Sequence, residues 1–143
     1  MKKFKIAIGS DHAGFELKEK VKLRLEELGH GYYDMGAYDK TSADYPVIAR
    51  GIALEVADGK YDRGIIICGS GIGVAIAANK IKEIRAANCN DLYSAKMSRL
   101  HNDANVLCMG GRVIGEDLAY EIVKIWLSTE FEGGRHQKRV DMI

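Results

Sequence analysis

Residues 64 to 73 decide the fold, and they read Gly64-Ile65-Ile66-Ile67-Cys68 followed by Gly69-Ser70-Gly71-Ile72-Gly73. The first half is a short apolar run rich in isoleucine, which is typical of a strand buried on both faces of a sheet. The second half has glycines at alternate positions, which let a backbone approach a ligand and turn its N–H groups inward. A helix is expected after Gly71, and its start would add partial positive charge.

Similar segments alternate along the rest of the chain. Short apolar runs predict strands over 5–8, 85–89 and 105–109, with a weaker strand over 32–34. Apolar residues at helical spacing predict helices over 17–28, 48–56 and 118–125, and a further helix is plausible over 93–100. Because parallel strands need crossover helices, this alternation predicts an α/β fold with a mainly parallel five-stranded sheet covered on both faces.

Composition narrows the class of protein. The 143 residues suit one domain spanning 1–143, in which the basic residues 131–143 follow the last helix as a C-terminal arm. A net charge of +1 gives no general attraction to nucleic acid or to an anionic membrane. The longest uncharged stretch, 64–79, is too short to cross a bilayer. An odd set of three cysteines without a C-x-x-C pair argues against a disulfide scaffold and a zinc site, so we expect a cytoplasmic protein.

Cys68 is the first candidate for chemistry. Ligands of parallel α/β sheets bind beyond the carboxyl ends of the strands, which directs attention to the loops after Ile8, Cys68, Cys89 and Met109. Cys68 lies at a strand end beside the glycine-rich amides, which favour a thiolate. A buried apolar role is the ordinary alternative for a free cysteine, and we assign that role to Cys89 and Cys108.

The glycine-rich stretch 68–73 does not fit three known types of ligand-binding loop. Gly69, Gly71 and the distant Asp91 fit part of a dinucleotide fingerprint, but the third glycine is replaced by Val74. The Gly-Lys-Ser/Thr of a Walker loop is absent, and Val74 also excludes the C-x5-R pattern of a thiol phosphatase. What remains is an anion-stabilising loop beside a cysteine that acts as a base or a nucleophile.

Other polar residues are weaker candidates. The adjacent Asp11 and His12 could grip sugar hydroxyls or a phosphate, although Asp11 could equally cap the following helix. His101 is a candidate acid–base residue because histidine is the side chain most often used for proton transfer, and its neighbours Asn102 and Asp103 could orient its ring. Three arginines, Arg112, Arg135 and Arg139, are most simply explained as solvated surface residues. If they met at one cleft, they would instead form a phosphate-binding site.

Six motifs together resemble the ribose-5-phosphate isomerase B family, which also holds galactose-6-phosphate and allose-6-phosphate isomerases. They are Gly9-Ser10-Asp11-His12, Asp44-Tyr45-Pro46, Cys68-Gly69-Ser70-Gly71-Ile72-Gly73, Ala77-Ala78-Asn79-Lys80, Ser98-Arg99-Leu100-His101-Asn102-Asp103 and Glu132-Gly133-Gly134-Arg135-His136. The resemblance covers nearly the whole chain. It implies a three-layer α/β/α Rossmann-like sandwich and a homodimer, or a dimer of dimers, with a shared active site. It also implies no cofactor and no metal.

The resemblance also implies residue roles. Cys68 corresponds to the base that removes the C2 proton, and His101 to the residue that opens the sugar ring. Ser70 stands where many relatives have threonine and keeps the hydroxyl, while Val74 places the chain in the cysteine branch, since the other branch has glutamate there. The implied substrate-binding positions are Asp11, His12, Tyr45, Gly69, Gly71, Ile72, Gly73, Asn102, Arg112, Arg135 and Arg139, with the arm crossing to the partner subunit.

The expected reaction follows from these roles. Interconversion of ribose 5-phosphate and ribulose 5-phosphate requires ring opening and then proton transfer from C2 to C1 through an enediolate. A carbon acid needs a positioned base and donors for the developing oxyanion. A thiolate at Cys68 would supply the base, and the amides of 69–73 together with the catalytic Ser70 would supply the donors. Two alternatives stay open: a six-carbon substrate such as allose or galactose 6-phosphate, and a non-catalytic nucleotide-binding module.

Overall fold

A computed structural model describes residues 2–143, and its strands form one sheet in the order β2-β1-β3-β5-β4. Every neighbouring pair of strands runs parallel. The predicted α/β fold with five strands is therefore confirmed, and the sheet is parallel throughout. The strands are β1 (Lys5–Ser10), β2 (Gly31–Asp34), β3 (Arg63–Cys68), β4 (Ala86–Asn88) and β5 (Val106–Gly110).

Helices cover both faces of this sheet. Helices α1, α4 and α5 pack together on one face, and α2 packs against α3 on the other. The three-layer sandwich is thus confirmed. The helices are α1 (Phe15–Leu28), α2 (Tyr45–Ala57), α3 (Ile72–Ala78), α4 (Leu92–Leu100), α5 (Glu116–Ser128) and α6 (Arg135–Val140). Within residues 2–143, none of these helices has both the length and the apolar composition that a membrane crossing requires.

The isoleucine run of β3 explains how the sheet carries two cores. Successive strand side chains point to opposite faces, so Ile65 and Ile67 pack with the α1 and α5 side while Ile66 packs with the α2 and α3 side. All three are fully buried. Burial of one such side chain contributes about 1.5–3 kcal/mol, which makes β3 the centre of the fold.

Strand β4 and the C-terminal arm differ from the sequence prediction for reasons that the local contacts show. Strand β4 covers only 86–88, because the N–H of Arg85 donates to the side chain of Asn105 instead of joining the ladder. Residues 135–140 of the predicted arm form the short helix α6, which follows Gly133 and Gly134 at positive φ. Both glycines adopt backbone angles that other residues avoid, so the pair turns the chain after α5.

The sheet has two chemically distinct edges. We call the edge where β1, β3, β4 and β5 end the carboxyl edge, and the edge where they begin the amino edge. Each helix that follows a strand runs back from the carboxyl edge, so the end of α4 and the residues after it lie at the amino edge. Contacts between Asp103 and Arg85, the residue just before β4, confirm that placement.

Candidate active site

A cleft of about 540 Å³ opens at the carboxyl edge. It lies where the loops after β1, β3 and β5 meet the first turn of α2, which is the place where ligands of parallel sheets bind. Its lining unites residues from several of the motifs, which are far apart in the sequence. The lining residues are Asp11, Tyr45, Cys68, Gly69, Ser70, Gly73, Arg112 and Val113.

Cys68 is the last residue of β3, and it is 5% exposed where it borders the cleft. The N–H of Gly71 donates to its Sγ at 3.1 Å. The Cys68 carbonyl accepts from the N–H of Gly111 at 2.8 Å, which fixes the strand end against β5. The side chain of Cys68 is therefore held at the wall of the cleft, with a backbone N–H directed at its sulfur.

The other two cysteines have different surroundings. Cys89 and Cys108 are essentially inaccessible. Burial raises the pKa of Cys89 to about 11, and it raises that of Cys108 well above its ordinary value. Both therefore remain neutral thiols at physiological pH, as the apolar role predicted for them requires.

The glycine loop is shaped by close contacts with its neighbours. Gly71 has a φ of +83°, and a Cβ there would lie 2.4 Å from Oδ1 of Asn88. The N–H of Ile72 donates to Oγ of Ser70 at 3.1 Å, which orients that hydroxyl beside the cleft. The side chain of Ile72 is exposed. The loop therefore places the Ser70 hydroxyl at the cleft, while the N–H groups of Gly71 and Ile72 are engaged by Cys68 and Ser70.

Asp11 and His12 have both structural and cleft-facing roles. The carboxylate of Asp11 accepts from the N–H of Gly14 at 3.0 Å, as the capping alternative required, and Asp11 also lines the cleft. Nδ1 of His12 accepts from the N–H of Ala43 at 3.2 Å, which ties the loop after β1 to the segment before α2. Because this N–H occupies Nδ1, Nε2 is the nitrogen left for a ligand.

Tyr45 and Arg112 complete the rim of the cleft. Tyr45 begins α2, and its ring lies directly over Gly73, where a Cβ would be 2.5 Å from the ring. The N–H of Arg112 donates to the Gly69 carbonyl at 3.0 Å, while its exposed side chain extends past that glycine. An exposed guanidinium at the mouth of a cleft is suited to an anionic group such as phosphate.

Four predicted site residues lie at the amino edge of the same chain. His101 follows the end of α4, and its ring stacks on that of His136 in α6 with centroids 4.1 Å apart. The six residues of β3 span about 20 Å between the two edges. A single chain therefore does not bring this group to Cys68. The four residues are His101, Asn102, Arg135 and Arg139.

Comparisons with known proteins match this architecture. A family model described as Ribose/Galactose Isomerase matches residues 6–143. The chain is 51% identical to ribose-5-phosphate isomerase B of Escherichia coli, over 97% of this chain and 93% of that protein. A ribose-5-phosphate isomerase B structure from Clostridium thermocellum superposes with a TM-score of 0.95 at 51% identity, covering 96% of this chain and 93% of that chain. The chain belongs to the ribose/galactose isomerase family.

Another relative in this family carries a different substrate in its name. The D-erythrulose-4-phosphate isomerase of Pectobacterium atrosepticum is 46% identical over 96% of this chain and 91% of that protein. Membership of the ribose/galactose isomerase family therefore makes the chain a sugar-phosphate isomerase without deciding the length of its sugar.

The amino-edge histidines also come close to Glu132. Ligand atoms of His101, Glu132 and His136 lie within 4.8 Å of one another. The two rings are stacked with an angle of 13° between their planes, so their in-plane lone pairs do not converge on one ion. A zinc ion would need each nitrogen at about 2.0–2.1 Å. As arranged here, this trio does not form a metal centre.

The structure of this isomerase adds two residues that sequence reasoning missed. Asn90 donates to the Ser70 carbonyl at 3.1 Å and accepts from the N–H of Gly110 at 2.8 Å. The fully buried Lys18 donates to Asp34 at 2.9 Å and to the carbonyl of Ala37. The loop after Cys89 was expected at the carboxyl edge, which was the available signal for Asn90. A lysine within an amphipathic helix gives no such signal, since it usually faces solvent.

Proposed function

We propose that this protein interconverts ribose 5-phosphate and ribulose 5-phosphate, with Cys68 as the base that moves the proton between C2 and C1. The observation that carries the proposal is the sulfur of Cys68 at the cleft with the Gly71 N–H directed at it. A thiolate held in this way can accept a proton from a carbon acid and return it to the neighbouring carbon.

The enediolate needs stabilisation as its negative charge develops. The hydroxyl of Ser70 and the backbone N–H groups of the loop 69–73 other than those of Gly71 and Ile72 would supply the donors, and the folded loop holds them in place before substrate binds. Donors that are already oriented cost little reorganisation during the reaction. Asp11 and Tyr45 also line the cleft and are suited to hold sugar hydroxyls.

The active site is completed by a second copy of the chain. His101, the proposed ring opener, and the phosphate-binding Arg135 and Arg139 lie at the amino edge, whereas Cys68 lies at the carboxyl edge. In a two-fold dimer the amino edge of one copy can face the carboxyl edge of the other, which gives two identical composite sites. The exposed side chains of Arg135, Arg139 and Asn102 are free to enter a neighbour's cleft.

The phosphate lies far from the reacting carbons, so the arginines contribute positioning. Arg112 at the cleft mouth would share the phosphate with Arg135 and Arg139 of the second copy. Binding energy from this remote group can hold the substrate in a reactive geometry. The chemistry requires a free thiol at Cys68, which fits the reducing cytoplasm expected from the cysteine content. Ribose 5-phosphate as substrate would place the reaction in the pentose phosphate pathway.

The nucleotide-binding alternative loses its main support. Asp91 was the acidic residue that could have held a ribose, but its carboxylate accepts from the N–H of Ser94 at 2.7 Å and caps α4. This contact lowers the pKa of Asp91. The fully buried Val74 occupies the position where the third glycine of the fingerprint would stand. Asp91 and Val74 therefore have structural roles, one as a helix cap and the other in the core.

The test is a coupled assay across four-, five- and six-carbon aldose and ketose phosphates. We expect the highest kcat/KM for ribose 5-phosphate and ribulose 5-phosphate. The erythrulose-4-phosphate relative makes a four-carbon sugar the second candidate, and allose and galactose 6-phosphate test the six-carbon alternative. A kcat/KM for any other sugar phosphate above that for ribose 5-phosphate would replace the proposed substrate. Tight binding of NAD or AMP without turnover of any sugar would reject the isomerase assignment for this chain.

A further inference from the structure

We propose that Asn90 is a positioning residue that holds the Ser70–Gly71 peptide in the orientation that directs the Gly71 N–H at the sulfur of Cys68. The inference rests on the proposed function, because it concerns the same base. Asn90 lies on the loop between β4 and α4, and its side chain reaches across to the glycine loop that follows β3.

One peptide unit, between Ser70 and Gly71, links Asn90 to Cys68. The carbonyl of Ser70 and the N–H of Gly71 belong to the same planar peptide, and in a trans peptide they point in opposite directions. The carbonyl accepts from Nδ2 of Asn90 at 3.1 Å, and the N–H donates to Sγ of Cys68 at 3.1 Å. A side chain that holds the carbonyl therefore also sets the direction of the N–H.

Asn90 is itself held by a second contact. Its Oδ1 accepts from the N–H of Gly110 at 2.8 Å, at the end of β5. One partner is a donor and the other an acceptor, so only one orientation of the Asn90 amide satisfies both. The side chain thus connects the end of a central strand to the loop that carries the catalytic amides.

This peptide needs an external support. Gly71 has a φ of +83°, and glycine crosses between backbone conformations more readily than any other residue. A larger residue cannot supply the rigidity, because its Cβ would lie 2.4 Å from Oδ1 of Asn88. If the peptide turned over, the Ser70 carbonyl would face Cys68 and disfavour a thiolate. Asn90 stabilises the productive orientation without adding an atom to the loop.

An aspartate at position 90 should reverse this preference. It keeps the size of the side chain and can still accept from Gly110, but it has no donor for the Ser70 carbonyl. A carboxylate repels that carbonyl and attracts the N–H of a peptide that has turned over. Asn90→Asp is therefore the primary variant, and Asn90→Ala removes the same donor without adding a charge.

The measurement is the rate at which iodoacetamide alkylates Cys68 at fixed pH, followed by mass spectrometry of the peptide that contains it. The reagent reacts with thiolates. Cys89 and Cys108 are buried neutral thiols, and the Cys68→Ala variant gives their background. Asn88→Asp is the matched control, because it places the same charge beside the loop and leaves the Asn90 contact with Ser70 intact.

We expect alkylation to slow at least about tenfold in Asn90→Asp and Asn90→Ala, the size expected for losing one hydrogen bond to a charged group. Asn88→Asp should stay close to wild type. The thermal midpoint should change little in all three variants, and kcat should fall in the Asn90 variants while KM is retained. If Asn90→Asp does not fold, Asn90→Ala carries the test by itself.

Two results would overturn the inference. The first is wild-type alkylation in the Asn90→Ala variant. The second is equal slowing in Asn90→Asp and Asn88→Asp, which would assign the effect to charge alone. Alkylation does not depend on turnover, so a failure of the proposed function is seen separately, as activity that survives in Cys68→Ala.

Discussion

Cys68 and His101 lie at opposite edges of the same parallel sheet, one at the end of β3 and the other just after α4. Their separation follows from the alternation of strand and helix, because a helix returns the chain to the edge where the preceding strand began. In the proposed reaction both residues act on one sugar. The most direct predictions therefore concern which chain supplies each residue.

Mixing two inactive variants should restore activity. Cys68→Ala and His101→Ala each remove one half of every proposed composite site. After denaturation and joint refolding, half of the dimers are mixed, and each mixed dimer has one intact site of two, so about a quarter of wild-type kcat should return. Each variant refolded alone is the control. Absence of any recovery, with mixed dimers demonstrated by mass, would contradict the shared site.

Replacing the proposed base should remove turnover and preserve the fold. We expect Cys68→Ala to lower kcat for ribose 5-phosphate by about 10²–10⁴-fold, the usual contribution of a general base. Unfolding in urea should change by about 1 kcal/mol, as for an average substitution. Cys89→Ala is the matched control, because that cysteine is buried away from the cleft and should keep its kcat. Turnover of Cys68→Ala near that of wild type would reject the base.

Lys18 should matter more to stability than the neighbouring Lys22. Both donate to Asp34 at 2.9 Å, but Lys18 is fully buried whereas the Lys22 side chain is 20% exposed. Lys18→Met removes one of the two lysines that hold Asp34 and leaves the Ala37 carbonyl without its Lys18 donor, and it should cost about 3 kcal/mol in urea unfolding. Lys22→Met should cost about 1 kcal/mol or less. Equal losses of unfolding free energy in the two variants would contradict the prediction that the buried lysine contributes more to stability.

Protonation of the Asp34 carboxylate should make the protein less stable in acid. Burial raises the pKa of Asp34, but hydrogen bonds from Lys18, the Gly36 N–H and Lys22 outweigh it and hold the pKa below its ordinary value. The stability that the Asp34 carboxylate contributes is therefore fully present above about pH 4, and it is lost as the pH falls through the lowered pKa of the folded state. Urea unfolding of Asp34→Asn across this range should show a flatter pH dependence than wild type. An identical pH dependence would contradict the prediction.

Two glycine substitutions should separate folding from function. A Cβ on Gly14 would lie 2.2 Å from the Ile67 carbonyl, a backbone atom at the centre of the sheet, so Gly14→Ala should destabilise by several kcal/mol. A Cβ on Gly73 would instead meet the ring of Tyr45, which is 40% exposed and can move. Gly73→Ala should keep its thermal midpoint within a few degrees and raise KM. The reverse ranking of the two midpoints would contradict this account.

The docking of α6 should depend on pH. Burial, and then the charge of the stacked His101, lower the pKa of His136 below its ordinary value. The folded state therefore favours the neutral ring, and stability is lost as the pH falls from about 6.5 toward the lowered value. The hydrogen-exchange protection factors of residues 135–140, which correct for the slower intrinsic exchange at lower pH, should fall between pH 7 and pH 5.5. His136→Phe keeps an aromatic ring for the stack and should abolish that change.

Local patterns in the sequence determined most of the fold. Each local pattern predicts the structure of its own segment, because side-chain periodicity follows directly from strand and helix geometry. The patterns are the isoleucine run of β3, the glycine loop and the helical spacing of 17–28. Parallel pairing then follows from their alternation. The cleft residues that come directly after strands, Asp11, Cys68 and Arg112, could be placed together for the same reason.

Only the tertiary structure decided where His101, Asn90 and Lys18 lie and what they contact. His101 looked like a partner of Cys68 in the motifs, yet the return of α4 carries it to the other edge of the sheet. Asn90 and Lys18 gained their roles from contacts with Ser70 and Asp34, which the chain brings close only after the sheet has formed. Such contacts depend on the position of whole elements, and no local periodicity encodes that position.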